Sequence, residues 1–391
     1  MKNSTMKMRW LLVLMLAGTS AFYANGQNTA DKLLESEDRL SIGGYAQIDY
    51  NQPLSSDVHQ NGNMDIHRLV MMFAYRFNER TQFVTEIEYE HVSEVYVEQA
   101  FLNYRINPWL NFRGGLLLIP MGIINEYHEP ATYNGVERPN LDSKIVPSTW
   151  REIGAGFTGN IQNLNLKYQL YVVNGFKSYD DGGILRGSDA LRKGRQKGAE
   201  SIFTHPNLSA KFDYYGVPGL KLGLSAYLGE TQTSLYDGIA KDDVAMEAMA
   251  DSSVIGLNMV GFDARYSTNG WVFKGQLNYA SLNNTDEYNA FTGKDLGSAL
   301  FGYYLEAGYD LLNQKDTEQK LVPFVRYEKY NTHQDVEGIA KNLAYDRTDI
   351  TAGIGWWMAP GAVLKADMQW FGNEATDDFD TQLNLGIGIW F

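Results

Sequence analysis

The chain has 391 residues, no cysteine and a formal net charge of −14 at pH 7. The absence of thiols excludes disulfides, thiolate catalysis and Cys-ligated metal or iron–sulfur sites. The acidic balance argues against nucleic acid as a partner, because such a partner requires a dense positive surface. The sequence is rich in aromatic residues (25 Tyr, 18 Phe, 8 Trp) and in glycine (38), and it has few prolines (10).

Residues 1–26 have the pattern of a signal peptide. A positive n-region precedes an apolar stretch over residues 11–17, and small residues precede a plausible cleavage site after Gly26. The apolar stretch is too short to span a bilayer as a helix. Cleavage would remove three basic residues and no acidic residue, which takes the net charge from −14 to −17. We therefore expect an exported protein whose residues 27–39 form a short periplasmic segment.

From about Leu40 onward, apolar and polar side chains alternate along the chain with the period of a β-strand. Between residues 299 and 311, for example, Tyr303 and Leu305 share one face while Tyr304 and Glu306 share the other. Such segments are about ten residues long, the length that a tilted barrel strand needs to cross a bilayer. The sixteen predicted strands are 40–50, 64–77, 81–90, 95–106, 110–119, 150–159, 166–174, 206–215, 219–229, 255–267, 271–282, 299–311, 320–330, 347–358, 361–371 and 380–391.

The connections between these strands alternate between short turns and mostly longer loops. An even number of strands with short turns on one side and long loops on the other is typical of outer-membrane β-barrels. We therefore predict an all-β fold in which residues 40–391 form one transmembrane antiparallel barrel, with short periplasmic turns and long external loops. The protein would lie in the outer membrane of a Gram-negative bacterium. The predicted loops are 51–63, 91–94, 120–149, 175–205, 230–254, 283–298, 331–346 and 372–379.

A soluble all-β protein would show the same alternation, but two features favour the membrane barrel. Tyr and Trp residues such as Trp109 and Trp370 lie near strand ends, as in the interfacial girdles of a membrane barrel. The faces opposite the apolar ones carry charged residues such as Glu86 and Lys274. These charges would be costly in a dry core but are tolerated where they line water.

Several short segments resemble known outer-membrane proteins. Residues 386–391 resemble the terminal aromatic signature that the barrel assembly machinery reads, which makes Phe391 a candidate assembly signal. The segments 137–141, 150–154, 171–175 and 323–328 resemble the phosphate-selective porin O and P family. The resemblance implies a sixteen-stranded barrel, a homotrimer, and a third external loop folded inward to narrow the pore. Residues 120–149 are the candidate for this constriction loop.

The resemblance, together with the inward faces of the alternating strands, gives a set of candidate pore residues. Family members that bind phosphate tightly have basic residues in the constriction loop, whereas this loop has two bases (Arg138 and Lys144) and four acids. We therefore expect at most a mild, phosphate-like anion preference. The candidate solute-contacting residues are Arg113, Arg138, Lys144, Arg151, Glu126, Glu129, Arg326 and Glu306.

The loop at 175–205 contains the densest basic patch of the sequence, which includes Arg192, Lys193 and Arg195. These residues could recruit anions to the mouth of a pore by raising their local concentration. The interpretation that the sequence favours is a solvated loop that meets the acidic sugars and phosphates of the outer leaflet. The sequence leaves both interpretations open.

Other chemistry has weaker support. The segment 154–159 matches a dinucleotide-binding GxGxxG pattern, but a turn and another strand follow it instead of the helix that such a site needs. The six histidines are scattered, and the serines lie mostly in loops, so we expect no metal site, no cofactor and no enzymatic activity.

The sequence therefore predicts a porin for passive diffusion of small hydrophilic or anionic solutes, in contact with outer-membrane lipids. Sixteen strands form a barrel too wide for side chains to fill, which leaves an aqueous channel. One alternative is an outer-membrane barrel that acts as a surface-binding or adhesion scaffold. A lipid hydrolase on the barrel wall is a second alternative.

Overall fold

The computed structural model describes residues 29–55 and 57–391, so the predicted signal peptide lies outside the described residues. Within this part of the chain, sixteen long strands form one closed barrel and three short strands form a separate sheet. The barrel strands are β1 Leu40–Leu54, β2 Asn63–Arg76, β3 Thr81–Glu90, β4 Glu94–Asn107, β5 Leu110–Leu118, β6 Arg151–Ile161, β7 Leu166–Val173, β10 Asn207–Val217, β11 Leu220–Glu230, β13 Gly256–Thr268, β14 Trp271–Asn283, β15 Ala299–Tyr309, β16 Lys320–Asp335, β17 Asp346–Ala359, β18 Ala362–Asn373 and β19 Thr376–Trp390. The short strands are β8 Lys177–Asp180, β9 Gly182–Gly183 and β12 Gln232–Thr233.

The described residues also contain four α-helices. Of these, α1 Thr29–Glu35 precedes the barrel, and α2 Leu141–Lys144 lies between β5 and β6. The other two, α3 Val244–Asp251 and α4 Thr285–Thr292, lie between β11 and β13 and between β14 and β15. In the part of the chain that the structure describes, no helix is both long and apolar enough to cross a membrane.

The barrel closes because its first and last strands pair with each other. Strand β1 is antiparallel to β19, with Tyr45 opposite Trp390 and Leu54 opposite Thr381. The Gly44 N–H donates to the Phe391 carbonyl at 3.0 Å, and the Phe391 N–H donates back at 2.9 Å. Closure leaves no unpaired strand edge, which a lipid environment would not tolerate. The prediction of a sixteen-stranded antiparallel barrel is confirmed.

The two faces of the barrel wall differ as the alternation predicts. In β15, Leu305 is 62% exposed on the outer face, while the adjacent Glu306 is 5% exposed and faces inward. Aromatic side chains cluster at the end of the barrel where the short turns lie. There Trp271 stacks on Phe273 with ring centroids 5.6 Å apart and contacts Tyr309 at 4.8 Å. The wall is therefore apolar outside and polar inside, as in transmembrane barrels.

The main disagreement with the predicted strand limits is at the loop end of the barrel, opposite the short turns. The predicted loop at 372–379 is a tight connection in the structure, because Asn373 pairs with Thr376 and β19 begins there. Strand β16 likewise continues to Asp335. Alternating apolar and polar side chains identify a strand only where one of its faces is apolar. Beyond the apolar band both faces are polar, so the pattern fades while the backbone pairing continues.

Candidate functional site

The interior of the barrel is crossed by residues 120–149, which we call the interior loop. The structure describes all thirty of these residues, and each is buried or half-buried. Its apolar members, including Ile123, Leu141 and Ile145, belong to a buried cluster that extends to Trp150. The predicted constriction loop thus lies inside the barrel, where it packs like a small core.

Asn125 closes the base of the interior loop. Its side-chain amide donates to the carbonyls of Ile119 (2.7 Å) and Trp150 (2.8 Å), and its carbonyl oxygen accepts from the Trp150 N–H at 2.8 Å. The backbone of Ile119 also donates to the Trp150 carbonyl at 2.9 Å. An asparagine side chain can replace a backbone partner in this way. Sequence reasoning missed Asn125, because nothing in the loop sequence shows where its two ends meet.

On one side of the lumen, Lys211 of β10 holds the first part of the interior loop. Its Nζ donates to the Gly122 carbonyl and to Glu126 Oε2, both at 2.7 Å, and lies 3.5 Å from Asp263. The Lys211 side chain is completely buried. The predicted pore residue Glu126 is therefore paired with a lysine that sequence reasoning did not single out.

On the opposite side, strands β15 to β18 bind the rest of the loop. Lys365 Nζ donates to the carbonyls of Tyr133 and Gly135, each at 2.7 Å, and the Val136 N–H donates to Asp367 at 2.6 Å. Glu306, a predicted pore residue, accepts from the Asn134 amide at 2.8 Å. The loop therefore spans the lumen from the β5–β6 side to the β15–β18 side.

The predicted pore cations of the wall are paired with carboxylates. Arg326 Nε donates to Glu328 at 2.9 Å and its guanidinium lies 3.5 Å from Glu306. Arg151 turns into the lumen and contacts Glu98 at 2.7 Å. Such pairing offsets the cost of burying charge and leaves little net positive field at these positions.

Three more of the predicted pore residues also lie inside the barrel. Arg138 is half-buried and donates to the His128 carbonyl at 3.1 Å, and Arg113 lies 3.6 Å from Asp31 of α1. Glu129 accepts from both the N–H (2.9 Å) and the hydroxyl (2.7 Å) of Thr29. These contacts distribute the eight predicted residues along the lumen instead of gathering them in one ring.

Two groups of α2 carry perturbed pKa values. Burial raises the pKa of Asp142 to about 7, although Gln276 donates to its carboxylate at 2.8 Å. Burial, followed by the nearby Arg347, lowers the pKa of the predicted pore residue Lys144. Both shifts arise because α2 lies within the barrel and not in open solvent.

Residues 175–205, which we call the outer cap, fold across the loop end of the barrel. Arg192 donates to the Ser148 hydroxyl at 3.3 Å, and Arg195 donates to the Ser148 carbonyl and, at 2.8 Å, to the Thr149 hydroxyl. Lys193 is exposed. Two of the three predicted mouth cations therefore bind the interior loop, and burial and then Arg192 lower the pKa of Arg195 to about 9.

The outer cap is also attached across the mouth. The Gly187 N–H donates to Asp295 at 2.9 Å, Thr332 donates to the Gly187 carbonyl, and Arg347 donates to the Ser188 carbonyl at 3.2 Å. These partners belong to the connection after α4 and to strands β16 and β17. The cap therefore lies over the interior loop and joins opposite walls.

Glu152 joins the start of β6, next to the interior loop, to the outer cap. Its carboxylate accepts from Trp150 Nε1 at 2.8 Å, from the Tyr227 hydroxyl at 2.9 Å and from the Gly175 N–H at 3.1 Å. The rings of Trp150 and Tyr227 pack 4.7 Å apart beside it. Sequence reasoning missed Glu152, since its partners come from strands and loops that are distant in the chain.

The predicted assembly residue, Phe391, has a different environment. Its side chain is 67% exposed, and its backbone completes the seam between β1 and β19. It lies at the short-turn end and contacts no part of the interior loop or the outer cap through a hydrogen bond among the described residues.

Comparisons with solved structures show the same fold at very low sequence identity. A complex of Salmonella typhi OmpF with daunomycin gives a TM-score of 0.58 at 13% identity and covers 90% of this chain and 97% of the other. The outer membrane channel DcaP of Acinetobacter baumannii gives 0.57 at 10% identity, with coverage of 90% and 97%. An anion-selective porin from Comamonas acidovorans gives 0.56 at 10% identity, with coverage of 90% and 99%. The chain thus has the fold of outer-membrane β-barrels.

No protein-family model matches the chain. An uncharacterized protein of Aquifex aeolicus strain VF5 is 33% identical over 360 residues, which cover 88% of this chain and 78% of that protein. An identity of this extent over most of both sequences reflects common descent and a shared fold. The chain therefore belongs to the same protein family as this Aquifex aeolicus protein.

Proposed function

We propose that this protein is an outer-membrane porin that allows passive diffusion of small hydrophilic solutes. The observation that carries the proposal is the closed barrel with an apolar outer face and a charged inner face. A charged inner face is stable where its charges are paired or reached by water, and a sixteen-stranded barrel is wide enough to admit water. In this proposal the interior loop limits the size of the solute.

The proposed selectivity is weak, with a mild preference for anions. The inward cations Lys211 and Arg326 each contact carboxylates, so neither offers a free positive charge to a passing ion. Of the three predicted mouth cations, Lys193 is the exposed one, and it could attract anions at the mouth. The resemblance to the phosphate-selective porin O and P family supports an inserted loop and a homotrimer more than it supports tight phosphate binding.

Assembly in the outer membrane would follow the same resemblance. The exported chain would fold at the barrel assembly machinery, with Phe391 as part of the terminal signal, and associate as a homotrimer. The outward position of Phe391 supports its being accessible to such a machine. Chemical cross-linking of detergent-extracted protein would show whether the trimer forms.

A surface-binding scaffold is the second candidate, and the outer cap favours it. The cap and the interior loop lie one above the other and are joined by Arg192 and Arg195, so a solute must pass both. A barrel filled in this way could present its loops to a partner without conducting.

Planar-bilayer conductance separates the two candidates. The purified, refolded barrel should give stable stepwise openings in 1 M KCl if it is a porin. The porin proposal would be contradicted if the protein gave no openings although its heat-modifiable gel mobility showed that it was folded. If a variant that lacks residues 187–203 also fails to conduct, the outer cap does not block the channel. That result would favour the scaffold.

A further inference from the structure

A cavity of about 390 Å³ lies inside the barrel at its short-turn end. Helix α1 forms one side, and strands β2 to β7 with β10 form the other. Glu126 and Tyr127 of the interior loop close it from within the barrel. Its volume falls within the range of pockets that bind small molecules.

The charges around this cavity are separated by side. Among the described lining residues, the bases all come from the barrel wall: Arg76, Arg105, Arg113 and Lys167. Acids face them from inside the barrel, with Asp31 and Glu35 on α1 and Glu126 on the interior loop. Asp213 on the wall and Glu79 in a turn are the remaining acids. A molecule in the cavity therefore meets acidic side chains on the side of the barrel axis and basic side chains on the side of the wall.

Two of the wall bases are bridged to α1 by long ion pairs. Asp31 lies 3.6 Å from Arg113 and 3.8 Å from Lys167. The acid is about 29% exposed, and each base retains some exposure. Ion pairs of this length and exposure contribute little net stability, so a ligand can replace them at low cost.

Four other charges that line the cavity are engaged more firmly elsewhere. Glu126 contacts Lys211 at 2.7 Å, and Asp213 contacts Lys221 at 3.3 Å. Arg76 and Arg105 donate to the carbonyls of Ser36 and Glu79. Arg113 also donates from Nε to Asn103 at 3.0 Å, so what a ligand can exchange at low cost is the contact of its terminal nitrogen with Asp31, together with that of Lys167.

We propose that this cavity binds a small zwitterionic solute of the amino-acid or dipeptide class. The carboxylate of the solute would lie against Arg113 and Lys167, and its ammonium group against Asp31 and Glu35. Each end replaces half of an existing long ion pair with a direct, charge-assisted contact. The proposal rests on the proposed function in one respect: the bound solute would be one that travels through the barrel.

Binding to the solubilised barrel tests the site without any need for conduction. Glycylglycine is the probe, and acetate, methylamine and arabinose are the comparison compounds, each titrated calorimetrically at pH 7 into the full barrel in detergent. We expect glycylglycine to bind measurably and more tightly than acetate or methylamine, and arabinose not to bind. Asp31→Asn and Arg113→Gln should each weaken binding by about tenfold, the loss of one charge-assisted contact.

Matched controls are available at the same end of the barrel. Asp38→Asn and Arg80→Gln make the same charge changes at exposed positions outside the cavity and should leave the affinity unchanged. If Arg113→Gln fails to fold, Lys167→Gln supplies the wall variant. Equal binding of glycylglycine and acetate, or equal losses in the controls and the cavity variants, would overturn the proposal.

Bilayer recordings distinguish the failure of this inference from that of the porin proposal. If the barrel conducts but glycylglycine neither binds nor reduces the current from the short-turn side, the zwitterion site is wrong and the porin stands. If glycylglycine binds with the expected variant effects but the barrel is silent, the site stands and passive conduction is wrong.

Discussion

The interior loop and helix α1 both occupy the barrel, but they are held differently. The loop is anchored at its two ends by β5 and β6 and bonded across the lumen by buried charges such as Lys211 and Lys365, at 2.7 Å. Helix α1 continues into β1 at one end. Its Asp31 contacts the wall through ion pairs of 3.6 and 3.8 Å, although Thr29 bonds firmly to Glu129. Ala30 and Leu33 of α1 are also buried, and Trp390 donates to the Thr29 hydroxyl at 2.7 Å. The difference therefore lies in the tether and in the charged contacts: the loop is tied at both ends and bonded by buried charges, whereas the charged face of α1 meets the wall through long, partly exposed ion pairs.

The largest effect should come from removing a buried anchor of the interior loop. Lys211→Met leaves Glu126 and Asp263 without their cation in a buried site, and breaking a buried pair in this way costs about 3–5 kcal/mol. The measurement is the free energy of unfolding in urea of barrel refolded into lipid vesicles. Lys320→Met at an exposed position is the control, and a comparable loss there would remove the distinction.

The wall that surrounds both elements can be tested at its lipid face. Leu305→Arg places a charge on the outer face near the middle of β15 and should destabilise the barrel by about 2–4 kcal/mol. Leu311→Arg lies beyond the end of the same strand and should cost no more than about 1 kcal/mol. Equal unfolding free energies for the two variants would mean that the outer face of β15 does not meet lipid.

The interior loop should also make stability depend on pH through Asp142. Its pKa in the folded protein is about 7, well above that of an unfolded aspartate, so the folded state binds the proton more tightly. The stability that this proton contributes is complete below about pH 4 and is lost as the pH rises through about 7, above which Asp142 is ionised in both states. Between pH 5 and pH 7 we expect the unfolding free energy to fall by about 2 kcal/mol from this residue.

The Asp142→Asn variant checks that expectation, since it retains a hydrogen-bonding side chain without the titration. Its unfolding free energy should vary less between pH 5 and pH 7 than that of the unchanged protein. Asp38→Asn, at an exposed position, provides the control. Identical pH profiles for Asp142→Asn and the parent would show that α2 is not buried as described.

The smallest effect on stability is expected at α1. Asp31→Asn should change the unfolding free energy by less than about 1 kcal/mol, since partly exposed ion pairs contribute little. Asp31→Asn should instead change bilayer recordings, because a less firmly held α1 would increase the current fluctuations or the mean conductance. A loss as large as that of Lys211→Met would contradict the view that α1 is the more weakly held element.

Much of the wall could be predicted from the sequence. The strand count and the inward position of Glu306 beside the outward Leu305 follow from an alternation that each strand carries within itself. The prediction failed where that local signal ended, as at Asn373 and Thr376, where both faces are polar. The position of the interior loop followed from a resemblance to known porins and not from the loop residues alone.

What the sequence determined by itself is therefore the barrel wall: its period of two, its two faces and its closure by an even number of strands. These properties depend on residues close together in the chain, which is why they can be read locally. The tertiary structure decided which charges meet inside. Lys211 contacts Glu126 across 85 residues, and Val136 contacts Asp367 across 231. It also decided that Arg192 and Arg195, predicted as cations at the pore mouth, bind Ser148 of the interior loop. Such partners are fixed only when the closed barrel brings distant strands to one lumen, because the energy of a buried charge depends on the groups within a few ångströms and not on its neighbours in sequence.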